Sequence, residues 1–436
     1  MLTSYRRTFR TPGAWQFSSS AFVGRLPISM VGLGIVLLIS ESTGSYALAG
    51  VLSAAFQLSA AVGSLYTSRW VDRLGQSRLL PWLAMGHALG LLAFVAAVET
   101  DMSLVVQVLT AAFAGALQPA IGSMVRARWA YVALPESLRS AFAIESIIDE
   151  LIFTIGPMLT AYLAFQVALP LPLIVAGVLT VAGSLALAFQ RRTEPPGART
   201  VPGDGSPIEV SAIRRPGMVL MVVAAMGMGA VFGSYEVTVV AFTKDAGQAG
   251  ASGLILGLWS AGSLLGGLFF GARQWPMDLP RQVILLTGLL AVSLIPAPFV
   301  SAVPVLVATT FMAGVVVAPA LIAIFSLTER LVPGTLLTEG LTWTNSGLAL
   351  GFSLGTSVNG IVIDAHGTTT AFVLPVLFAA MSCITALIGR GTLQAACADR
   401  APSVPGIARN TDPVPGPAPG GVRDEPKDAS GRGHQQ

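Results

Sequence analysis

Long apolar stretches recur along the chain, and short polar segments separate them. Most of these stretches run for about 18 to 25 residues, the length that an α-helix needs to cross a hydrocarbon core of about 30 Å. The pattern therefore predicts an all-α membrane protein with twelve transmembrane helices. We place these helices at residues 20–40, 45–67, 79–98, 102–125, 139–163, 167–189, 217–242, 250–271, 281–299, 303–327, 335–361 and 369–389.

The composition is typical of an integral membrane protein. Of its 436 residues 53% are hydrophobic and only 11% are charged, and a soluble domain could not bury that much apolar surface. The net charge of +3 does not indicate nucleic acid as a partner, because the basic residues fall in short connections between apolar stretches. Two cysteines are too few for a disulfide framework or a metal cluster, so we expect no metal and no cofactor.

The basic residues also predict the orientation of the helices. With the amino terminus inside, nearly all of them lie on the cytoplasmic side, and Lys244 alone falls outside. The opposite orientation would violate the positive-inside rule in almost every loop. We therefore expect both termini in the cytoplasm and a multi-pass protein of the cell (inner or plasma) membrane.

The chain divides into two similar halves. We expect a cytoplasmic N-terminal segment at 1–19, six-helix bundles at 20–189 and 217–390, a cytoplasmic linker at 190–216 and a disordered cytoplasmic tail at 391–436. The linker and the tail are rich in Pro and Gly and cannot build a core.

Matching positions recur between the halves and indicate a duplication. The stretch from Gly63 parallels that from Gly266, and Pro135 parallels Pro333, in each case roughly 200 positions apart. Two parallel six-helix halves related by an axis along the membrane normal would enclose a central site.

Helix 5 carries acids that a membrane should reject. At helical spacing, Glu145, Asp149 and Glu150 share one face, ahead of a Gly156-Pro157 break, while the opposite face is apolar. A charge near the midplane costs at least roughly 2.5 to 3.5 kcal/mol, so such residues are functional candidates by default. A carboxyl group there could take up and release protons or pair with a cationic substrate; the plain alternative is an arginine partner or a neighbouring backbone that it caps.

The loop between helices 2 and 3 reads S-R-W-V-D-R-L-G-Q-S-R-L-L from Ser68 and resembles the signature loop of the major facilitator superfamily. Asp72, Arg73, Gly75 and Arg78 match that signature. The resemblance implies the twelve-helix major facilitator fold and a gate in which Asp72 contacts the start of helix 11 and latches the cytoplasmic side. The alternative is a turn, built by Gly75, that carries positive-inside charges.

The sequence also departs from the family pattern. Ser68, Gln76 and Ser77 replace residues usual in the loop, and Trp275 stands at the acidic position of its second copy. Gln107 occupies the place of an arginine that many drug–proton exchangers carry in helix 4. Gly156-Pro157 is similar to part of the antiporter motif, which favours export.

Further candidates lie on other helices. Glu236, beside Tyr235, falls on helix 7, which lines the cavity in this family, and is a candidate for proton coupling or substrate contact. Arg25 and Glu339 are interpreted as gate or interface residues, and His87 as a packed histidine. Polar or aromatic residues expected to line the cavity, or else to sit at interfaces and join helices, are Gln57, Gln118, Tyr235, Trp259, Trp343, Asn345 and Asn359.

No nucleotide-binding loop, nucleophile elbow or metal-ligand spacing occurs in the sequence, so we do not expect an enzyme. We expect a monomeric secondary transporter whose partners are protons, a small amphipathic or cationic solute and the lipid bilayer, and which exports that solute by alternating access. A proton symporter or facilitative uptake permease is the first alternative. A membrane sensor or assembly partner that does not transport is the second.

Overall fold

The prediction of twelve apolar spanning helices is confirmed by the computed structural model. It describes residues 11–133, 135–195, 211–273, 275–333 and 336–398, apart from the side chains at 69, 72, 135–140, 143 and 338. The first six spans are α1 (Ala14–Thr43), α2 (Tyr46–Leu74), α3 (Gln76–Glu99), α4 (Leu104–Ala116 and Ile121–Val132), α5 (Pro135–Gln166) and α6 (Leu171–Phe189). The other six are α7 (Met218–Asp245), α8 (Ala251–Gly271), α9 (Leu279–Leu294), α10 (Val303–Leu331), α11 (Leu337–His366) and α12 (Thr368–Ala371 and Val373–Ile388).

The first helix begins earlier than the apolar pattern predicts. It starts at Ala14, after Gly13 with φ of +83°. Phe17 is fully buried, and its ring meets that of Trp129 edge to face at 4.8 Å. This contact with α4 extends the helix into the segment that we assigned to a separate N-terminal lead-in. Residues 1–10 of that lead-in lie outside the described residues.

The fourth span is broken, although the sequence pattern predicts one continuous helix. Pro119 has no N–H group, and the N–H of Gln118 bonds to Gly115 rather than to Ala114. The Ala114 carbonyl is instead met by His87 of α3, with Nδ1 at 2.8 Å. His87 is thus a packed histidine that satisfies a carbonyl left free at the break.

The C-terminal tail does not begin where we expected. Residues Arg390–Ala398 form a further helix, α13, which contacts α9, α10 and α12. Leu393 on this helix is fully buried, which gives the segment an apolar anchor. The prediction of disorder is therefore wrong for 391–398, and residues 399–436 lie outside the described residues.

The two halves of the chain meet along two helix pairs, α2 with α11 and α5 with α8. We call the end of the bundle where α1 passes into α2 the distal end, and the opposite end, where α1 begins, the proximal end. Near the distal end Gly50 faces the backbone of Thr356, and Gly253 faces the backbone of Pro157. A side chain at either glycine would hold the helices apart, so glycine permits this close approach.

One apolar cluster joins the halves near the same end. It contains Leu37 of α1 and Leu52 of α2 together with Val237 and Val240 of α7 and Ile363 of α11. The contacts described so far therefore close the distal end of the interface.

Candidate functional site

A cavity of about 450 Å³ lies between the halves. Its walls come from α1, α2 and α5 on one side and from α7, α8, α10 and α11 on the other. Most of the lining is apolar or aromatic; the larger apolar and aromatic side chains are Ile28, Leu33, Phe153, Phe232, Tyr235, Leu256, Trp259, Leu321, Leu348 and Phe352. Such a surface suits an organic molecule with a substantial apolar part.

The aromatic wall is held in place by its own contacts. Tyr235 and Trp259 lie with ring centroids 4.4 Å apart, and the Tyr235 hydroxyl is 2.5 Å from the hydroxyl of Thr310. Both aromatic side chains are almost fully buried. The two rings are therefore closely packed, and the Tyr235 hydroxyl already has a partner.

Glu236 is the most isolated acid of the cavity. It lines the cavity on α7, and its Oε1 atom is buried with no hydrogen-bond partner. Gly32 of α1 faces it: a Cβ built at that glycine would lie 3.6 Å from Glu236 Oε1 and 3.5 Å from Gln57 Nε2. A buried carboxyl oxygen without a partner is a place that a proton or a donor from a ligand can occupy.

Glu150 lines the same cavity from the opposite half of the chain. Ser263 on α8 lines the cavity as well, on the other side of the interface. Asp149 is the preceding residue of α5 and also lines the cavity, yet both of its oxygens are paired. Glu150 and Glu236 are thus the cavity acids for which the described residues supply no cation in an ion pair.

Arg25, Arg126, Glu145 and Asp149 form one connected network, which we call the α1–α5 charge network. Arg25 Nη2 lies 2.5 Å from Glu145 Oε2, and Arg25 Nη1 lies 2.9 Å from Asp149 Oδ1. Arg126 Nη2 reaches Asp149 Oδ2 at 2.6 Å. Two cations and two anions balance, so the network carries no net charge.

Burial divides this network into a deep part and a shallow part. The side chains of Arg25 and Glu145 are 1% and 0% exposed, whereas those of Asp149 and Arg126 are 33% and 43% exposed. Glu145 also accepts hydrogen bonds from Ser18 at 3.0 Å and from Trp129 at 2.8 Å. Glu145 is therefore fully partnered away from the cavity, as the plain alternative for the helix-5 acids has it.

The expected lining residues divide into two sets. Gln57, Tyr235, Trp259 and Asn345 line the cavity, and Gln118, Trp343 and Asn359 do not.

The second set has other surroundings. Asn359 is fully buried and donates to the Ser234 carbonyl at 2.7 Å, so it joins α11 to α7. Gln118 lies at the break in α4, and Trp343 is 41% exposed, with its Nε1 atom 3.4 Å from Glu339 Oε1. These three residues therefore lie in helix contacts or at the protein surface, not in the cavity wall.

The loop between α2 and α3 turns at Gly75, whose φ is +91°, a value that strongly favours glycine. Arg73 and Arg78 on either side are exposed. Glu194, which follows α6, accepts the N–H of Ser77 at 2.9 Å and so caps the start of α3. The side chain of Asp72 lies outside the described residues, so its latch contact stays a prediction.

Several lining residues were not singled out from the sequence. Phe153, Phe232 and Phe352 resemble ordinary membrane-helix phenylalanines, and Ser263 resembles one more small residue in a glycine-rich helix. The spacing of Phe352 and Asn345 on one face of α11 is the signal that could have drawn attention to it. Within the described residues, no group of three histidine, cysteine or acidic side chains is arranged to hold a metal ion.

Comparison with known families gives one match. The sequence model of the Major Facilitator Superfamily matches residues 17–275 of this chain, which is more than half of its length. No curated protein sequence matches this chain.

Solved structures resemble the chain more widely. A mutant form of the nucleoside transporter NupG has a TM-score of 0.70 at 13% identity, over 87% of this chain and 99% of that one. A bacterial homologue of the human lysosomal transporter Spinster, inward-facing and occupied, gives 0.70 at 13% identity, over 89% and 98%. A bacterial homologue of the iron transporter ferroportin, inward-facing, gives 0.61 at 17% identity, over 86% and 98%. At these identities the likeness shows the fold alone.

Proposed function

The chain belongs to the major facilitator superfamily and is a membrane transporter of that type, and from this premise we propose that it exports a small amphipathic or cationic solute in exchange for protons. The observation that carries the proposal is the pair of acids, Glu150 and Glu236, that face one largely apolar cavity from opposite halves. Each lacks a cationic partner among the described residues.

Proton coupling is supported by the contrast between these acids and their neighbours. Asp149 and Glu145 are held by arginines, and their charge is balanced inside the α1–α5 charge network. A carboxylate without such a partner is costly in an apolar site and favours its protonated form until a cation or water reaches it. Protons and a cationic solute would therefore compete for Glu150 and Glu236.

The solute class is supported by what lines the cavity. No arginine, lysine or histidine is among the lining residues that the structure describes, so the described lining offers no cationic side chain to an anion. Aromatic side chains such as Trp259 and Phe352 offer apolar faces and attract cations through their ring electrons. An amphipathic cation satisfies both the walls and the acids.

Export is the direction that the sequence favours. Gly156 and Pro157 of α5 match part of the antiporter motif; Pro157 also lines the cavity, and Gly156 lies against Ser29 of α1. Uptake by symport would use the same cavity and the same acids. The direction of solute flux under an imposed pH gradient separates the two.

The test starts with a ligand-stabilisation screen of the purified full-length protein in detergent. Compounds that stabilise it are then loaded into proteoliposomes, and their flux is followed while a pH gradient is imposed. We expect solute flux against its gradient when protons flow the other way. Absence of any gradient-dependent flux for every stabilising compound would contradict the proposal and favour a sensor or assembly role.

The acids are tested by substitution in the same assay. In the variant that combines Glu150→Gln with Glu236→Gln, we expect pH-driven flux to be lost. Solute exchange should persist only at higher solute concentrations, because the apolar walls remain while the two acids that attract the cation are neutral. Glu99→Gln is the matched control, because Glu99 is an exposed acid at the end of α3 away from the cavity. Full coupling in the double variant would move the proton site elsewhere, Asp149 first.

A further inference from the structure

We propose that the C-terminal half holds the distal end of the transporter closed by gripping the α1–α2 hairpin with two opposite charges, Asp364 and Lys244. Each charged side chain contacts the end of a helix in the N-terminal half, and the dipole of that helix attracts the charge. We call this arrangement the distal clamp. It does not depend on the identity of the solute or of the coupling ion.

Asp364 supplies the negative member of the clamp. It lies near the end of α11, and its carboxylate accepts the N–H groups of Tyr46 and Ala47 at 2.9 Å each. It also accepts the hydroxyl of Ser45 at 2.8 Å. The first N–H groups of a helix have no partner within the helix, so a carboxylate from the other half completes the start of α2.

The remaining cap comes from the hairpin itself. The Ser45 side chain accepts the N–H of Leu48 at 3.2 Å, while Asp364 serves the two preceding N–H groups. This arrangement resembles a capping box in which the acid comes from another part of the chain. Opening the distal end would break the hydrogen bonds between Asp364 and the first N–H groups of α2.

Lys244 supplies the positive member. It lies in the last turn of α7, and its Nζ atom is 3.0 Å from the Ser40 carbonyl and 3.0 Å from Glu41 Oε1, both at the end of α1. The carbonyl end of a helix carries partial negative charge and attracts a cation. Lys244 therefore caps the C-terminus of α1 and pairs with an acid there at the same time.

The hairpin is short enough for one half to grip both ends. Gly44, with φ of +73°, ends α1, and α2 starts at Tyr46. The negative end of one helix dipole and the positive end of the next therefore lie side by side. Asp364 and Lys244 match these ends in sign, so both charges favour the closed arrangement.

Helix packing supports the clamp directly beneath it. Gly360, on α11 one turn before Asp364, faces the backbone of Tyr46 and Ala47. The Ser357 hydroxyl donates to the Gly50 carbonyl at 3.2 Å. These contacts bring α2 and α11 together where the charges act.

The clamp is tested by spin labelling of the full-length protein. Cysteines introduced at the exposed Asp101 and Ser301, one at the distal end of each half, are labelled in a Cys383→Ser, Cys397→Ser background. Electron–electron double resonance then measures the distance between the labels in liposomes. We expect mainly a short distance with a minor longer one in the parent protein, and a larger share of the longer distance in Asp364→Ala.

The expected size follows from capping energetics. Loss of a helix cap costs about 0.5 to 2 kcal/mol, so the ratio of distal-open to distal-closed molecules should rise roughly 2- to 30-fold. Lys244→Met should raise the same ratio. Asp364→Asn keeps one acceptor oxygen and should give a smaller shift than alanine, which provides a milder variant should the alanine protein fold poorly.

Asp245→Ala is the matched control. Asp245 is an acid at the same end, at the close of α7, but its described hydrogen bond is to Thr368 within its own half, at 3.0 Å. We expect its distance distribution to equal that of the parent. An unchanged distribution in both Asp364→Ala and Lys244→Met, or an equal shift in Asp245→Ala, would overturn the proposal.

Discussion

Removing the Arg25 side chain should destabilise the N-terminal half more than removing any exposed charge. In Arg25→Met, Glu145 loses its 2.5 Å contact with the guanidinium and stays fully buried, with only Ser18 and Trp129 as donors. Breaking a buried ion pair by removing one partner costs about 3 to 5 kcal/mol, because it leaves the other charge uncompensated. We expect a loss of stability of that size.

Glu145→Gln should be milder. Its amide oxygen can still accept from Ser18 and Trp129, and Arg25 keeps its 2.9 Å bond to Asp149, so we expect a loss of about 1 to 2 kcal/mol. The double variant should lose less than the sum of the two single variants, by about 1 to 3 kcal/mol, since the uncompensated charge disappears.

The assay is equilibrium unfolding in mixed micelles of mild detergent and dodecyl sulfate, followed by tryptophan fluorescence. Arg126→Met is the control: its side chain is 43% exposed, and exposed ion pairs contribute about 0 to 1 kcal/mol. Losses that add within about 0.5 kcal/mol in the double variant would refute the coupling that we derive from the network.

Two further predictions concern helix packing. His87→Leu removes the group that meets the Ala114 carbonyl at the break in α4 and should cost about 1 kcal/mol in the same unfolding assay; equal stability would contradict that role. Gly253→Leu should force α8 away from α5 and lengthen the Asp101–Ser301 distance, whereas Gly271→Leu, where a Cβ meets nothing within 4 Å, should leave it unchanged. Equal distances in both glycine variants would contradict the packing argument.

The spans could be predicted from sequence because the bilayer imposes their length and polarity before any tertiary contact forms. The ends of the helices could not, since they depend on partners far along the chain. Phe17 extends α1 because Trp129 lies beside it, and Leu393 anchors α13 beneath the bundle. Phenylalanine and leucine also occur in loops and tails, so the residue type alone does not show where either helix begins or ends.

The candidate site shows the same division. Helical spacing placed Glu145, Asp149 and Glu150 on one face of α5, which is a local property. Which of them is paired depends on Arg25, 120 positions before Glu145, and spacing gives no access to such a contact. Among the described residues, α1 and α4 bring their arginines to Glu145 and Asp149, while no arginine or lysine pairs with the cavity acids Glu150 and Glu236.

The position of Asp364 in its own helix already indicates, from sequence, that it contacts another helix. An acid near the C-terminus of a helix repels the dipole of that helix, so its presence at the end of α11 suggests that it serves another helix. Asp72, near the C-terminal end of α2, is in the same position. Because α2 and α11 run antiparallel, each acid lies at the end of the bundle where the other helix begins.

The pair α2–α11 would therefore be held at either end by an acid of one helix on the N-terminus of the other. Asp364 makes its contact at the distal end, and the family resemblance predicts that Asp72 makes the corresponding contact at the proximal end. The two contacts should favour opposite states. In the spin-label assay Asp364→Ala should favour distal-open molecules and Asp72→Asn distal-closed ones, and the double variant should lie between them. Shifts in the same direction would show that the two acids do not act as opposing latches.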